Sequence, residues 1–95
     1  MTGVGQMKRV KLIITGDVQG VFYRHNVVKE AKMLELTGWC RNEADGSVFI
    51  IAEGEDKAVD KLVKWTKSGS PLSTVENVEI TEEKPTGLEK AFEIR

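Results

Sequence analysis

A glycine-containing segment just before an amphipathic stretch is the first part of the chain whose residue types suit chemistry. It reads Gly16-Asp17-Val18-Gln19-Gly20-Val21-Phe22-Tyr23-Arg24 and runs directly into a predicted helix. Unpaired backbone N–H groups at a helix N-terminus carry partial positive charge and suit an anion. Glycine at two positions permits a tight path and a close approach of the backbone to that anion. The segment therefore indicates an anion-binding loop, although loops with two glycines also occur where a chain only turns.

Arg24 and Asn42 are the two polar residues whose positions matter most. Arg24 lies in the first turn of the predicted helix, where its planar guanidinium could donate two parallel hydrogen bonds to phosphoryl oxygens. A solvated surface arginine paired with Glu30 is an equally good interpretation of that position. Asn42 stands where a predicted strand enters a hairpin, a place where asparagine is common for backbone reasons alone. For each of these two residues, position alone leaves both the functional and the structural interpretation open.

Four other residues of reactive type have simpler structural interpretations. His25 suits proton transfer by its side-chain type, but helical spacing places it beside the apolar stripe, facing solvent. Cys40 lies within a predicted strand, where a thiol usually packs as a small apolar group. Asp45 is typical of a hairpin turn. Asp17 would bring negative charge to the anion loop, so we expect its side chain to point away.

Composition excludes several classes of protein. The chain has 95 residues, with 14 Lys and Arg against 15 Asp and Glu, a net charge of −1. Such a chain fits one domain and has no overall field to attract a polyanion, which counts against a general nucleic-acid binder. With Cys40 as the only cysteine, a disulfide framework and a cysteine-based zinc site are excluded.

The N-terminal region and the apolar runs bear on location. No apolar run approaches the ~18 residues that a membrane span needs. The first residues lack the basic flank and apolar core of a secretion signal. We therefore expect a cytoplasmic, monomeric protein with no membrane partner, in which residues 1–6 form a flexible leader and residues 7–95 form the domain.

Apolar periodicity divides residues 7–95 into six elements and a possible extra strand. The predicted strands lie at about 7–15, 39–42 and 47–53, around Val78 and Ile80, and around Phe92 and Ile94, and the predicted helices at about 22–35 and 56–67. Asp45-Gly46 indicates a hairpin, for which we expect a type I′ turn. The order βαββαβ predicts an α+β, ferredoxin-like sandwich, with an antiparallel sheet and two helices on one face.

This order has a geometric consequence for the two polar segments. The first two strands are joined through a helix, so they run parallel, with the third strand between them. Their C-terminal ends therefore lie at the same edge of the sheet, about 10 Å apart. The segments that leave those ends are 15–24 and 42–46. Anything that Arg24 and Asn42 do together is done across that gap.

Together the two segments resemble the sequence signatures of the acylphosphatase family. Residues 16–24 are similar to the family's Gly-x-Val-Gln-Gly-Val-x-Phe-Arg, with Tyr23 in place of phenylalanine. Residues 38–46 are similar to Gly-Trp-Val-x-Asn followed by Asp-Gly, with Cys40 where valine is more usual. Gly69-Ser70-Pro71 after the second helix is a further feature of the family. The resemblance covers nearly all of residues 7–95.

The resemblance implies hydrolysis of acyl phosphates to a carboxylate and inorganic phosphate, with no metal and no cofactor. Inorganic phosphate would be both product and competitive ligand. It implies that Arg24 and Asn42 are the catalytic residues, with Asn42 positioning the attacking water. The phosphoryl group would be held by Arg24 and the loop amides of Gln19, Gly20, Val21, Phe22, Tyr23 and Arg24. Phosphoryl transfer depends mainly on charge neutralisation and in-line placement, so the lack of an evident general base is no obstacle.

Two alternatives remain at this level. One is a non-catalytic ferredoxin-like module that binds RNA or a small effector. RNA-binding modules of this fold stack bases on aromatic residues of the strands, and here the first strand offers none and the third only Phe49. The other alternative rests on the same resemblance. An acylphosphatase-like domain also begins a large carbamoyl-transfer protein of hydrogenase maturation, and this chain could be such a domain. We favour the free enzyme, with a small acyl phosphate as partner and no nucleic acid.

Overall fold

The computed structural model describes residues 6–70 and 72–95. Residues 1–5 of the predicted leader and Pro71 lie outside the described residues. The elements are β1 (Met7–Asp17), α1 (Tyr23–Met33), β2 (Thr37–Asn42), β3 (Val48–Glu55), α2 (Asp56–Ser68), β4 (Thr74–Glu83) and β5 (Phe92–Ile94). Each predicted element forms, in the predicted order. No helix in the described part of the chain is long and apolar enough to cross a membrane.

The strands form one five-stranded sheet in the order β4-β1-β3-β2-β5. β1 pairs antiparallel with β3 and β4, and β2 pairs antiparallel with β3. β1 and β2 are therefore parallel to each other with β3 between them, as predicted. β5 adds a parallel neighbour to β2, which makes the complete sheet mixed. The α+β, ferredoxin-like fold is confirmed.

The core lies between one face of the sheet and the two helices. Its sheet residues alternate along β1 and face their partners on β3: Val10 with Ala52, Leu12 with Ile50, and Ile14 with Val48. The helices contribute the predicted stripes, with Tyr23, Val27 and Ala31 from α1 and Val59, Leu62 and Thr66 from α2. Each large apolar side chain buried here contributes roughly 1.5–3 kcal/mol. The core thereby fixes the N-terminus of α1 against the sheet.

The opposite face of the sheet carries a buried acid and an aromatic pair. Glu53 is 2% exposed and accepts hydrogen bonds from the backbone N–H groups of Thr86 (3.1 and 3.2 Å) and Gly87 (2.7 Å). The Arg9 guanidinium also donates to it, at 3.0 Å. Trp39 and Phe49 stack on this face with ring centroids 5.3 Å apart. The chain between β4 and β5 therefore crosses the open face and is fixed there by Glu53.

The turn between β2 and β3 differs from the predicted type I′ turn. Gly46 has a φ of 94°, but Asp45 does not have the positive φ that both central residues of a type I′ turn require. The Gly46 N–H donates to the Glu43 carbonyl (3.1 Å), and the Glu43 N–H donates to the Ser47 carbonyl (2.9 Å). This is a type I turn closed by a glycine bulge, in which three loop residues need only one left-handed position. Asp45 stabilises it by accepting from the Ser47 N–H (2.9 Å) and hydroxyl (2.6 Å).

Candidate active site

A cleft opens where the chain passes from β1 into α1. It has a volume of about 170 Å³ and is lined by Val18, Gly20, Phe22, Tyr23, Arg24 and His25. A water molecule occupies about 30 Å³ in the liquid, so the cleft has room for a small anion together with water. Four of the six predicted phosphate-binding residues line it: Gly20, Phe22, Tyr23 and Arg24. The predicted Gln19 and Val21 are part of the same loop but do not line the cleft.

The loop backbone has two left-handed positions, a feature typical of anion-binding nests. Gly20 has a φ of 75°, and Phe22 is left-handed with φ 60° and ψ 18°. Left-handed residues next to ordinary ones turn successive N–H groups toward a common side, where they can bind an anion. For a residue with a side chain this conformation costs about 1–2 kcal/mol, and such strain concentrates at functional sites. Phe22 adopts it although its side chain is 68% exposed and gains little from packing.

The first turn of α1 has no internal partner for its backbone donors. Phe22, the residue before the helix, makes no capping hydrogen bond through its side chain, and the described first turn contains no acidic residue. A capping side chain or a carboxylate would satisfy these N–H groups or oppose the dipole of the helix. Asp17 is exposed and is not among the residues that line the cleft, as predicted. The N-terminus of α1 is therefore free to bind an anion.

Gly16 has a different role from the one its sequence position indicates. We expected it to give the anion loop its close approach, but it lies within β1 at a bulge, where the register with β4 shifts. Its φ is 130°, and a Cβ atom there would overlap the Thr74 carbonyl group of β4. Gly16 is therefore needed for close packing of two strands, and the left-handed positions of the loop are Gly20 and Phe22.

Arg24 lies in the first turn of α1 and lines the cleft. Within residues 6–70 and 72–95 no carboxylate forms an ion pair with it, so the predicted alternative pair with Glu30 is not present. The Cys40 thiol of β2 packs against its backbone, with 3.9 Å between Cys40 Sγ and the Arg24 carbonyl oxygen. The Arg24 guanidinium remains available to a ligand in the cleft.

Cys40 is a packing residue, and its position on β2 shows on which side of the sheet Arg24 lies. It is fully buried, and burial raises the pKa of its thiol to about 11. The nearby Arg24 guanidinium acts in the opposite direction by a smaller amount. A thiol with such a pKa is hardly ionised at neutral pH, which agrees with the predicted packing role. Because Cys40 precedes Asn42 by two residues on the same face of β2, Arg24 lies on the Asn42 side of the sheet.

Asn42 is the last residue of β2. It pairs with Val48 of β3, which pairs on its other side with Ile14 of β1. These three residues form one row across the sheet, so two strand spacings, about 10 Å, separate Asn42 from Ile14, which lies three residues before the end of β1 at Asp17. Its carbonyl oxygen, Oδ1, is buried and has no hydrogen-bond partner among the described residues. Buried polar atoms are nearly always paired, so this acceptor requires an explanation.

The Gln19 side chain connects the anion loop with the β2–β3 turn. Its Nε2 group donates to the Glu43 carbonyl at 2.8 Å and to the Ser47 carbonyl at 2.9 Å. Sequence reasoning assigned only the Gln19 backbone to the site and missed this contact. The predicted closeness of segments 15–24 and 42–46 is the signal that could have suggested it.

His25 and Tyr23 complete the surroundings of the cleft. His25 is exposed, as predicted, and its ring lies edge-on to Phe22 with 6.0 Å between centroids. Tyr23 is buried and donates its hydroxyl hydrogen to the Thr66 carbonyl at 3.0 Å. Burial raises the pKa of this hydroxyl well above its usual value. The tyrosine that replaces the family's phenylalanine therefore finds a partner on α2, as its buried hydroxyl requires.

Comparison with known proteins assigns this chain to a family. The acylphosphatase family profile matches residues 10–94. The chain belongs to the acylphosphatase family. It is 44% identical over 95 residues to an acylphosphatase from Rubrobacter xylanophilus, covering 100% of this chain and 86% of that protein. It is 44% identical over 81 residues to one from Methylococcus capsulatus, covering 85% and 88% of the two chains. The resemblance inferred from the two segments is thereby confirmed, and with it an enzyme of the hydrolase class.

Solved structures agree with this assignment. The acylphosphatase from Bacillus subtilis superposes with a TM-score of 0.89 at 37% identity, covering 95% of this chain and 99% of that one. Full-length HypF, in a phosphate- and nucleotide-bound form, superposes with a TM-score of 0.84 at 26% identity. All of this chain is covered in that match, but only 12% of HypF. A domain of similar fold therefore also occurs within a much larger protein.

Proposed function

We propose that this acylphosphatase hydrolyses acyl phosphates by in-line attack of a water molecule that Asn42 holds. The phosphoryl group is bound by Arg24 and by the backbone amides of residues 19–24. The observation that carries the proposal is the buried Oδ1 of Asn42, which has no partner among the described residues and stands in one strand row with Ile14 of β1, the strand that leads into the loop. An acceptor in that position suits a donor supplied by the reaction, and water is such a donor.

Binding of the phosphoryl group follows from the free donors of the loop. The dianion contacts the uncapped N–H groups at the start of α1, where the helix dipole also favours negative charge. Arg24 supplies a planar guanidinium that can donate two hydrogen bonds to two phosphoryl oxygens. The first turn of α1 contains no carboxylate that would oppose the anion. These donors also stabilise the charge spread over the phosphoryl oxygens in the transition state.

Attack follows from the position of Asn42 across the gap. The mechanism requires space for one water molecule between β2 and a phosphoryl group on the loop, and about 10 Å separates Asn42 from Ile14 of β1, the strand that leads into this loop. Asn42 Oδ1 accepts a hydrogen bond from that water and directs its oxygen toward phosphorus. The new P–O bond forms as the bond from phosphorus to the acyl oxygen breaks. One water proton passes to a phosphoryl oxygen, and the carboxylate and dihydrogen phosphate leave.

The chemistry of the leaving group explains why so few side chains suffice. A carboxylate is a stable anion, so its departure needs no general acid. The transition state is loose, so the water needs orientation more than deprotonation. Holding the reacting groups in place can by itself supply several kcal/mol of barrier lowering. We therefore propose that the reaction proceeds without a metal ion.

The RNA-binding alternative has little support from the open face of the sheet. The structure adds Trp39 to the Phe49 considered from sequence, but the two rings stack on each other. The Arg41 guanidinium lies 5.1 Å from both ring centroids, and Arg95 lies 5.1 Å from Trp39. The rings therefore already have stacking partners within the chain, whereas RNA-binding modules offer theirs to bases. The lack of a nucleic-acid partner, the monomeric state and the cytoplasmic location stay predictions.

The direct test is hydrolysis of benzoyl phosphate in the presence of EDTA by the wild type and two variants. We expect turnover by the wild type and a loss of at least about 100-fold in both Arg24→Ala and Asn42→Ala. Only Arg24→Ala should also lose competitive inhibition by inorganic phosphate. Arg41→Ala and Asn77→Ala are matched controls, because both residues are exposed and lie away from the cleft. Near-wild-type turnover by Asn42→Ala would show that the water-holding role is wrong.

A further inference from the structure

The side chain of Gln19 has a task that its place in the anion loop does not indicate. We propose that Gln19 is a positioning residue, which sets the distance between the bound phosphoryl group and the water on Asn42. The inference rests on the proposed function, since it concerns the relative placement of the two halves of that site. It assigns the effect to the Gln19 side chain, separately from any contact of its backbone with the phosphoryl group.

Both hydrogen-bond donors of the Gln19 amide are used across the gap. Nε2 carries two N–H groups, and they reach the Glu43 carbonyl at 2.8 Å and the Ser47 carbonyl at 2.9 Å. Glu43 and Ser47 are the residues that close the turn, through the Glu43 N–H and the Ser47 carbonyl. A single side chain therefore holds both strands of the hairpin at the point where the turn begins.

The two residues that Gln19 holds are direct neighbours of the Asn42 pair. Glu43 follows Asn42 in the chain, and Ser47 precedes Val48, which is the strand partner of Asn42. Ser47 is itself buried, so its carbonyl contact lies inside the structure. Movement of this end of the hairpin away from the anion loop would therefore carry Asn42 with it. The Gln19 contacts oppose that movement.

The same contacts exclude a direct role of this side chain in binding the phosphoryl group. With both N–H groups donated to the hairpin, the side chain has only its carbonyl oxygen left, and that oxygen would repel an anion. Gln19 also does not line the cleft. Its backbone N–H is unaffected by substitution of the side chain. Substitution of the Gln19 side chain should therefore lower the rate of attack and leave the affinity for phosphate unchanged.

The required accuracy of placement gives the size of the effect. Reacting groups must be held to within about 0.5 Å, and a misplacement of 1 Å can reduce a rate by about 100-fold. Gln19→Met retains a similar length without a donor or a charge. We expect kcat for benzoyl phosphate to fall by about 10- to 100-fold in this variant. The inhibition constant for inorganic phosphate should stay within about twofold of the wild type, because Arg24 and the loop amides are retained.

The matched control is Asp45→Ala, which also removes two hydrogen bonds from the turn but none between the turn and the anion loop. We expect it to retain kcat within about threefold of the wild type, even where its thermal midpoint falls as far as that of Gln19→Met.

In the double variant Gln19→Met/Asn42→Ala, kcat should equal that of Asn42→Ala, since the water is no longer held in either. Circular dichroism before each assay restricts the comparison to folded protein, and Gln19→Ala replaces Gln19→Met where the latter does not fold.

Three results would overturn the inference. They are a kcat within about threefold of the wild type in the folded Gln19 variant, a loss of phosphate inhibition in proportion to kcat, and an equal loss of kcat in Asp45→Ala. Failure of the proposed function itself has a different signature, since Asn42→Ala would then turn over like the wild type. The two failures are therefore distinguishable in the same set of proteins.

Discussion

Asn42→Ala should make the protein more stable while it abolishes turnover. Asn42 Oδ1 is buried without a partner among the described residues. An unpaired buried acceptor costs about 1–3 kcal/mol, and alanine removes it. Asparagine and alanine are both poor strand formers, so intrinsic strand preference contributes little to the difference. Loss of the packing of the amide offsets part of the gain. We expect a net increase of about 1 kcal/mol in the free energy of unfolding.

Thermal unfolding measures this gain readily. An increase of 1 kcal/mol raises the midpoint by roughly 4–8 °C in a domain of this size. The experiment is done in phosphate-free buffer, because phosphate that binds the native state would raise the midpoint of either protein. Asn77→Ala is the control, since it makes the same substitution at an exposed position of β4 and should change the midpoint little.

A substantial fall of the midpoint would contradict this reasoning. A midpoint below that of the wild type by more than about 4 °C, equivalent to a loss of about 1 kcal/mol, would mean that the asparagine amide is well satisfied in the native state. Its carbonyl would then have no need of a water molecule, and the reasoning from the unpaired acceptor would fail. A rise together with lost turnover is the behaviour expected of a residue retained for function at the expense of stability.

Three further predictions concern the cation of the site and the framework. Arg24→Lys should lose at least about 10-fold in kcat/KM for benzoyl phosphate, because an ammonium cannot reproduce two parallel hydrogen bonds; wild-type kinetics would contradict this. Tyr23→Phe should lower the free energy of unfolding by about 1 kcal/mol through loss of the buried bond to Thr66, measured by urea unfolding, and an unchanged value would contradict it. Glu53→Gln should lower it by roughly 1.5–3 kcal/mol at pH 7, where the exposed Glu79→Gln should not. Burial raises the pKa of Glu53, but hydrogen bonds from the N–H groups of Gly87 and Thr86 and from the Arg9 guanidinium outweigh burial and hold that pKa below its ordinary value. The stabilising contribution of Glu53 is therefore present at neutral pH and disappears as the pH falls through the lowered pKa. An equal effect of Glu53→Gln in acid and at neutral pH would refute this.

Most of the fold could be predicted from the sequence because its elements have distinct apolar periods. The alternation of apolar residues along β1 correctly predicted which face of that strand lies in the core. The helical spacing on α1 did the same for Tyr23, Val27 and Ala31. The turn between β2 and β3 was predicted with the wrong type, since Asp-Gly fits both a two-residue turn and a glycine bulge. Loop length, and not the dipeptide, decides between them. The role of Gly16 was also missed, because its close contact is with β4, far away in the chain.

The candidate site was predictable to the extent that topology determines it. The order of the elements placed the ends of β1 and β2 at one edge, and the structure confirms that these strands are parallel with β3 between them. Asn42 shares its strand row with Ile14, however, and β1 continues for three more residues to Asp17. Two features lay beyond the sequence. The Gln19 contacts depend on which carbonyl groups of the turn face the loop, and the unpaired Oδ1 of Asn42 depends on what surrounds it. Both are properties of packed side chains, which no spacing in a sequence specifies. The roles of Arg24 and Asn42 remain predictions.

A crystal structure with inorganic phosphate bound tests the convergence of these two side chains most directly. We predict phosphate against the first-turn amides of α1, with two oxygens on the Arg24 guanidinium. A water molecule should lie between phosphorus and β2, within hydrogen-bond distance of Asn42 Oδ1. Phosphate bound away from the cleft, or a protein donor satisfying Asn42 Oδ1 in its presence, would contradict the account.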